Sequence, residues 1–165
     1  MSLQLIESSK VVEGFSLSTR NNAMYDEGGV VMHFHEQKCI DEQSLLELYG
    51  SVGWTAYTTD SKQLTKAVEQ SLKVITVWQE KELIGLIRSV GDGETILYIQ
   101  DLLVHPAYQK QGIGTELMKQ MVEAYPDVRQ KVLLAENDPV IKRFYEKNGF
   151  HLAEQQGVAC FYKEY

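Results

Sequence analysis

The segment from Thr95 to Val122 constrains the chain more than any other. Thr95-Ile-Leu-Tyr-Ile-Gln-Asp-Leu-Leu-Val104 is an apolar run rich in strand formers, and Leu117, Met118, Met121 and Val122 recur at helical spacing. Between them lies a short loop interrupted by Pro106, and the helix opens at Gly112-Ile-Gly114. The pattern is therefore strand, loop, helix. The first turn of a helix carries backbone N–H groups without intrahelical partners and about half a unit of positive charge, so such an end binds anions, phosphates above all. Glycine at 112 and 114 removes Cβ atoms that would hold a ligand away and permits angles at which successive N–H groups converge.

Gln109-Lys-Gln-Gly112-Ile-Gly114 resembles motif A of the GNAT acetyltransferase superfamily, Gln/Arg-x-x-Gly-x-Gly/Ala. Leu102-x-Val-x-Pro-x-Tyr-Gln109 precedes it as in that family, and Phe144-Tyr-Glu-Lys-Asn-Gly-Phe150 resembles the family's Phe-Tyr-x-x-x-Gly-Phe box. The resemblance covers roughly residues 40 to 163. A dinucleotide site is a weaker reading because a third glycine is missing at the expected spacing, and a Walker loop is excluded by the absence of Gly-Lys-Ser/Thr.

The resemblance implies an acetyl-CoA-dependent N-acetyltransferase that transfers an acetyl group to a primary amine of a small molecule or peptide, with a homodimer compatible with it. It assigns the pyrophosphate to the N–H groups of Gln111, Gly112, Ile113, Gly114 and Thr115, with Gln109 and Lys110 nearby. Backbone groups of Leu102, Leu103 and Val104, on a strand splayed from its neighbour, would pair with pantetheine and the acetyl oxygen. Tyr145 matches the tyrosine beside the sulfur, its alternative being a core aromatic. Asp138 stands where the family carries Asn, and Asn137 lies one residue earlier, so either Asn137 makes the pantetheine contact or the contact is lost. Val52-Gly-Trp54-x-x-Tyr57 resembles a stretch that lines the acceptor pocket in small bacterial GNAT proteins, although Trp54 and Tyr57 could equally pin helices to the sheet. Asp101, Glu136 or a water chain remain open as base. The rival class is a silent CoA-binding module, a sensor or scaffold.

With 165 residues, 44% of them hydrophobic, the chain reads as globular, and its formal charge of −7 disfavours nucleic acid. An acidic surface steers cationic acceptors but repels CoA phosphates, so the cofactor mouth needs local basic charge such as Lys110. Cys39 and Cys160 fit no metal or redox spacing and are expected to be buried, reduced thiols, consistent with a cytoplasmic location. No secretory signal or apolar run approaching the ~18 to 20 residues of a membrane span is evident, so no membrane role is expected. His33 and His35 alternate on one strand face, but no third ligand accompanies them and no metal is expected.

Residues 1–28 read as an N-terminal extension, an added strand or hairpin in which 11–17 turns at Asn21-Asn22 or Gly28-Gly29 to meet 30–35, and residues 29–165 read as the acetyltransferase domain. Helices are expected over 41–49, stopping at Gly50, and 61–71, capped by Asp60. Strands are expected over 74–78 and 83–90, followed by the central strand and motif helix, then a strand over 131–136. Asn137-Asp-Pro139 starts a helix that closes at Asn148-Gly149, and 150–152 with 158–162 form a last strand pair. Arg88, alone in an apolar run, must be paired, with Asp101 the expected partner. The order β-α-α-β-β-β-α-β-α-β-β is that of the GNAT fold, an α/β domain with a mixed, mostly antiparallel central sheet flanked by helices.

Overall fold

A computed structural model describes residues 16–18, 22–25 and 29–163. Among the described residues, seven strands form one sheet in sequence order: β1 (Ser16–Ser18), β2 (Ala23–Tyr25), β3 (Val31–Glu36), β4 (Lys73–Gln79), β5 (Glu82–Gly91), β6 (Ile96–Val104) and β7 (Gln130–Leu133). Every pairing is antiparallel except β6 with β7. The expected α/β architecture with a mostly antiparallel sheet is what the chain adopts. The run at 31–36 pairs with Ala23–Tyr25, and of the strand expected over 11–17, residues 11–15 lie outside the described residues.

Between β3 and β4 come α1 (Glu42–Ser51), the short α2 (Thr55–Thr58) and α3 (Ser61–Glu69). Asp41 and Asp60 cap α1 and α3, accepting from the N–H groups of Ser44 and Gln63 at 2.9 Å each. Gly50 does not stop α1, which runs to Ser51; the left-handed turn falls at Gly53, φ +76°. Leu45, Leu48 and Tyr49 of α1 and Leu64 and Val68 of α3 bury one stripe against the sheet. On the opposite sheet face lies α4 (Ile113–Glu123), whose Ile113, Leu117, Met118 and Met121 are buried. Close approach there depends on Gly85 in β5: a Cβ at that position would stand 3.3 Å from Ile113 and 3.4 Å from Leu117.

The fifth helix, α5 (Pro139–Lys147), starts as expected, with Asp138 as the capping residue and Pro at its first position. It ends in a left-handed cap at Gly149, φ +84°, where the N–H of Phe150 donates to Tyr145 O at 3.0 Å and that of Gly149 to Glu146 O at 3.0 Å.

That cap accounts for one correction. Strands were expected over 150–152 and 158–162, but neither forms. The helix cap takes the Phe150 N–H, and the chain then winds into a 3-10 turn at Ala153–Gln156. A second correction concerns Cys39 and Cys160, which are exposed free thiols and not buried ones. Cys39 sits in the loop after β3 and Cys160 in the segment after the 3-10 turn, so neither belongs to an element with a core-facing side. His33 and His35 project from the face of β3 opposite the buried Met32 and Phe34. No helix among the described residues is long and apolar enough to cross a membrane.

Candidate active site

β6 carries the site. Its ladder with β7 runs from Ile96 opposite Gln130 to Ile99 opposite Leu133 and stops there, whereas β6 continues to Val104. The two strands therefore fork at their C-terminal ends. Leu102, Leu103 and Val104 lie beyond the fork, paired on the other side with Ile87, Leu86 and Gly85 of β5.

After Val104 the chain makes a 3-10 turn, Pro106–Tyr108, and reaches α4. Gln109 Nε2 donates to Val104 O at 3.0 Å, so the first residue of the glycine motif braces the loop against the strand it leaves. Lys110 and Gly112 both take positive φ, +66° and +79°. Gly112 is the N-cap of α4, contributes no side-chain cap and so leaves the first N–H groups of the helix uncapped by it. Room is not what selects glycine here, since the nearest atom to a Cβ would be the Met24 methyl at 3.8 Å; the backbone angle is. Gln109 to Thr115 thus converge on one helix end, with the exposed Lys110 the basic group beside it. Met24, from the N-terminal strands, borders the loop, a contact no sequence motif announces.

On the β5 side of β6 the expected pair is present: Arg88 Nε donates to Asp101 Oδ2 across the two strands. The two are buried, Asp101 at 1% exposure. Tyr49 Oη donates to Asp101 Oδ2 at 2.8 Å and Tyr57 Oη to Oδ1 at 3.2 Å, while Gln100 Nε2 donates to Tyr57 Oη at 3.1 Å. Gln100 is the extra residue of a bulge, where the register steps from Arg88–Asp101 to Ser89–Ile99. Burial, reinforced by the Asp101 charge, pushes the phenols of Tyr49 and Tyr57 above their ordinary value. Burial alone would lower the Arg88 guanidinium, but Asp101 and Tyr49 outweigh it and leave Arg88 raised. With three donors on its two oxygens, the Asp101 carboxylate holds structure together and is poorly placed to collect a proton.

This network ties α2 to β6. Trp54 and Tyr57 stack with centroids 5.6 Å apart, and Tyr49 meets both rings, at 5.9 and 5.3 Å. Trp54 is buried at 8% exposure, with no partner for its indole N–H among the described residues, whereas Tyr57 is half-exposed. Tyr57 is therefore the presented surface and Trp54 its backing.

On the β7 side a groove of about 430 Å³ runs between β7, α5 and residues 150–154, and Glu136, Asn137 and Tyr145 line it. Asp138 is spent on capping, accepting from Val140 N at 2.8 Å and Ile141 N at 3.2 Å, which leaves exposed Asn137 as the free carboxamide. Tyr145 is 5% exposed and touches Phe144 and Phe150 edge-on, yet its hydroxyl finds no hydrogen-bond partner among the described residues. A buried unsatisfied hydroxyl costs about 1–3 kcal/mol. Burial also pushes its phenol well above the ordinary value. An apolar-walled hydroxyl that keeps its proton fits a ligand atom able to accept a hydrogen bond.

Comparisons with known proteins bear on the family. The family model described as an acetyltransferase (GNAT) domain matches residues 33–160. An uncharacterized N-acetyltransferase, ycf52-like, from Prochlorococcus marinus is 34% identical over 133 residues, 77% of this chain and 71% of that protein. The ycf52 N-acetyltransferase of Gracilaria tenuistipitata var. liui is 31% identical over 125 residues, 72% of this chain and 66% of that one. Among solved structures, a GNAT-family acetyltransferase of Streptococcus pneumoniae superposes with a TM-score of 0.73 at 30% identity, covering 81% of this chain and 98% of its own. The chain belongs to the GNAT acetyltransferase family and is an acyltransferase of that family.

Proposed function

We propose that this acyltransferase takes its acetyl group from acetyl-CoA and delivers it to a primary amine of a small molecule or peptide. The observation that carries the reading is the unpaired, buried hydroxyl of Tyr145 in the groove on the β7 side of β6, the strand that also leads into the glycine-opened end of α4.

Bound acetyl-CoA supplies an activated thioester. The N–H groups of Gln111 to Thr115 hold its pyrophosphate, Lys110 adds local positive charge in an acidic protein, and Gln109 keeps the loop closed. Backbone groups of Leu102, Leu103 and Val104, together with Asn137, line the channel for the pantetheine arm. Tyr145 donates a hydrogen bond to the sulfur as negative charge develops there. Full proton transfer would be uphill: phenol and thiol ordinarily differ by about 1.5 pK units, and burial widens the gap. Tyr57, backed by Trp54, offers an aromatic face to the acceptor. Glu136, on the groove, is better placed than Asp101 to take a proton from the ammonium form of the amine.

Thiol release from acetyl-CoA, followed with a chromogenic thiol reagent against a panel of primary amines, tests the reading. Amine-dependent release is expected. CoA binding without any release would return the chain to a silent binding module, and absence of CoA binding would remove the cofactor assignment.

A further inference from the structure

β1 and β2 precede the matched residues 33–160, yet they reach the glycine-opened end of α4. Two side chains make the link. Met24 is buried, and its methyl is the nearest atom to the place a Cβ on Gly112 would take, at 3.8 Å. Asn22 stands in the turn ahead of β2 at φ +49°, a left-handed angle that asparagine tolerates better than most residues. Its Nδ2 donates to Phe34 O at 3.0 Å and its carbonyl accepts from Phe34 N at 2.9 Å, so side chain and backbone are both fixed to β3. The other end of that carboxamide, Oδ1, accepts from Gln120 Nε2 at 3.2 Å, across 98 residues of chain.

The chain of contacts continues along α4. Gln120 Nε2 also donates to Glu116 Oε1 at 2.9 Å, one helical turn back, and Lys119 Nζ lies 3.8 Å from Glu116 Oε2. Glu116 is buried, and its N–H donates to Gly112 O at 3.0 Å, which puts it directly behind the N–H groups that open the helix. A carboxylate in a first turn is attracted by the helix dipole. The same charge opposes a second anion arriving at that end, and in a buried position little water screens it. Gln120 and Lys119 both stand further along α4 than Glu116, so they hold and counter the carboxylate from the side away from Gly112.

We propose, on the reading that this end of α4 receives the cofactor pyrophosphate, that Asn22 is a positioning residue. Through Gln120 it keeps the Glu116 carboxylate back from the helix end, so that the N–H groups there stay open to phosphate. The first strands of the chain thereby set the affinity for the phosphate part of the cofactor.

Asn22→Gly removes the carboxamide and keeps the left-handed angle, and Gln120→Ala breaks the same contact from α4 with a good helix former. Calorimetric titration with CoA should show affinity lowered by about tenfold in either variant, and by no more in the pair, because the two side chains act as one unit. Adding Glu116→Gln to either variant should return affinity to within about twofold of wild type, since a carboxamide has no charge to oppose phosphate. A role in packing alone would not be repaired in this way. Circular dichroism verifies folding, and Gln120→Ala with and without Glu116→Gln decides the matter if Asn22→Gly does not fold. Unchanged CoA affinity in the folded variants, or a loss that Glu116→Gln leaves in place, overturns the positioning role. A wild-type chain that does not bind CoA fails differently: it removes the phosphate reading itself, and this role with it.

Discussion

β6 has two flanks, and they treat polar groups in opposite ways. Towards β5, Asp101 receives Arg88, Tyr49 and Tyr57, so that a buried charge and two phenols are matched within the fold. Towards β7 the ladder stops at Ile99, and beyond it Tyr145 keeps a buried hydroxyl that nothing among the described residues satisfies. A protein gains stability from the first arrangement and loses some by the second. In the function proposed above, the paired flank positions the acceptor connector and the unpaired flank receives the cofactor.

Breaking the paired flank has the largest expected effect. Asp101→Ala leaves the Arg88 guanidinium buried and uncompensated and should cost about 3–5 kcal/mol, the usual penalty for removing one partner of a buried pair. The double change Arg88→Met with Asp101→Leu should restore most of that loss, because an apolar pair needs no partner. Urea unfolding of the single and double variants measures it. Equal destabilisation by both would mean that the tyrosine contacts, and not the ion pair, hold this flank.

The sequence discloses these flanks unequally. The strand–loop–helix from Ile96 to Glu123 is legible because its signals are local: an apolar run, a proline, two glycines and a helical stripe. The caps at Asp60 and Asp138 are legible for the same reason, and Arg88 announces a partner because a lone cation in an apolar strand cannot stay unpaired. The phenols on Asp101 are not legible. They come from 52 and 44 residues away, and nothing local to Tyr49 or Tyr57 points to Asp101. Strand propensity at 158–162 is plain, yet no strand forms there, and the Phe150 N–H that would open a final strand pair is captured by the α5 cap. Two solitary cysteines carry no spacing from which exposure could be inferred.

The ligand flank can be broken without disturbing the paired one. Gly112→Asp places a negative charge at the helix N-terminus to which the proposed function assigns the pyrophosphate. Positive φ costs a non-glycine residue about 1–2 kcal/mol, and the nearest atom to the new Cβ lies at 3.8 Å, so the fold should persist. Affinity for CoA should fall by at least about a hundredfold, roughly 2.8 kcal/mol of binding. Calorimetric titration of the folded variant measures it, and unchanged affinity would remove the phosphate role from this helix end.

The smallest and most discriminating effect comes from one chemical change made on both flanks. Tyr49→Phe removes a donor from a buried carboxylate and should destabilise by about 1.5–3 kcal/mol, the range for hydrogen bonds to charged groups. Tyr145→Phe removes a hydroxyl that has no partner, so the fold should be unchanged or gain up to about 1 kcal/mol. Activity should move the other way. Tyr145→Phe is expected to lower kcat by at most about a hundredfold, with the KM for acetyl-CoA little altered, because the contact to sulfur strengthens only as the C–S bond breaks. The pH dependence follows from the sign of the shifts. Burial raises both phenols, so above the ordinary tyrosine value near 10 the unfolded chain releases protons that the folded one retains, and stability falls as pH rises. Each Phe variant should lose part of that alkaline fall, while kcat of the wild type shows no basic limb from Tyr145 below about pH 10. Chemical denaturation and steady-state kinetics on the two variants decide the matter: if Tyr145→Phe destabilises as much as Tyr49→Phe and leaves kcat intact, its hydroxyl is structural and the two flanks are alike.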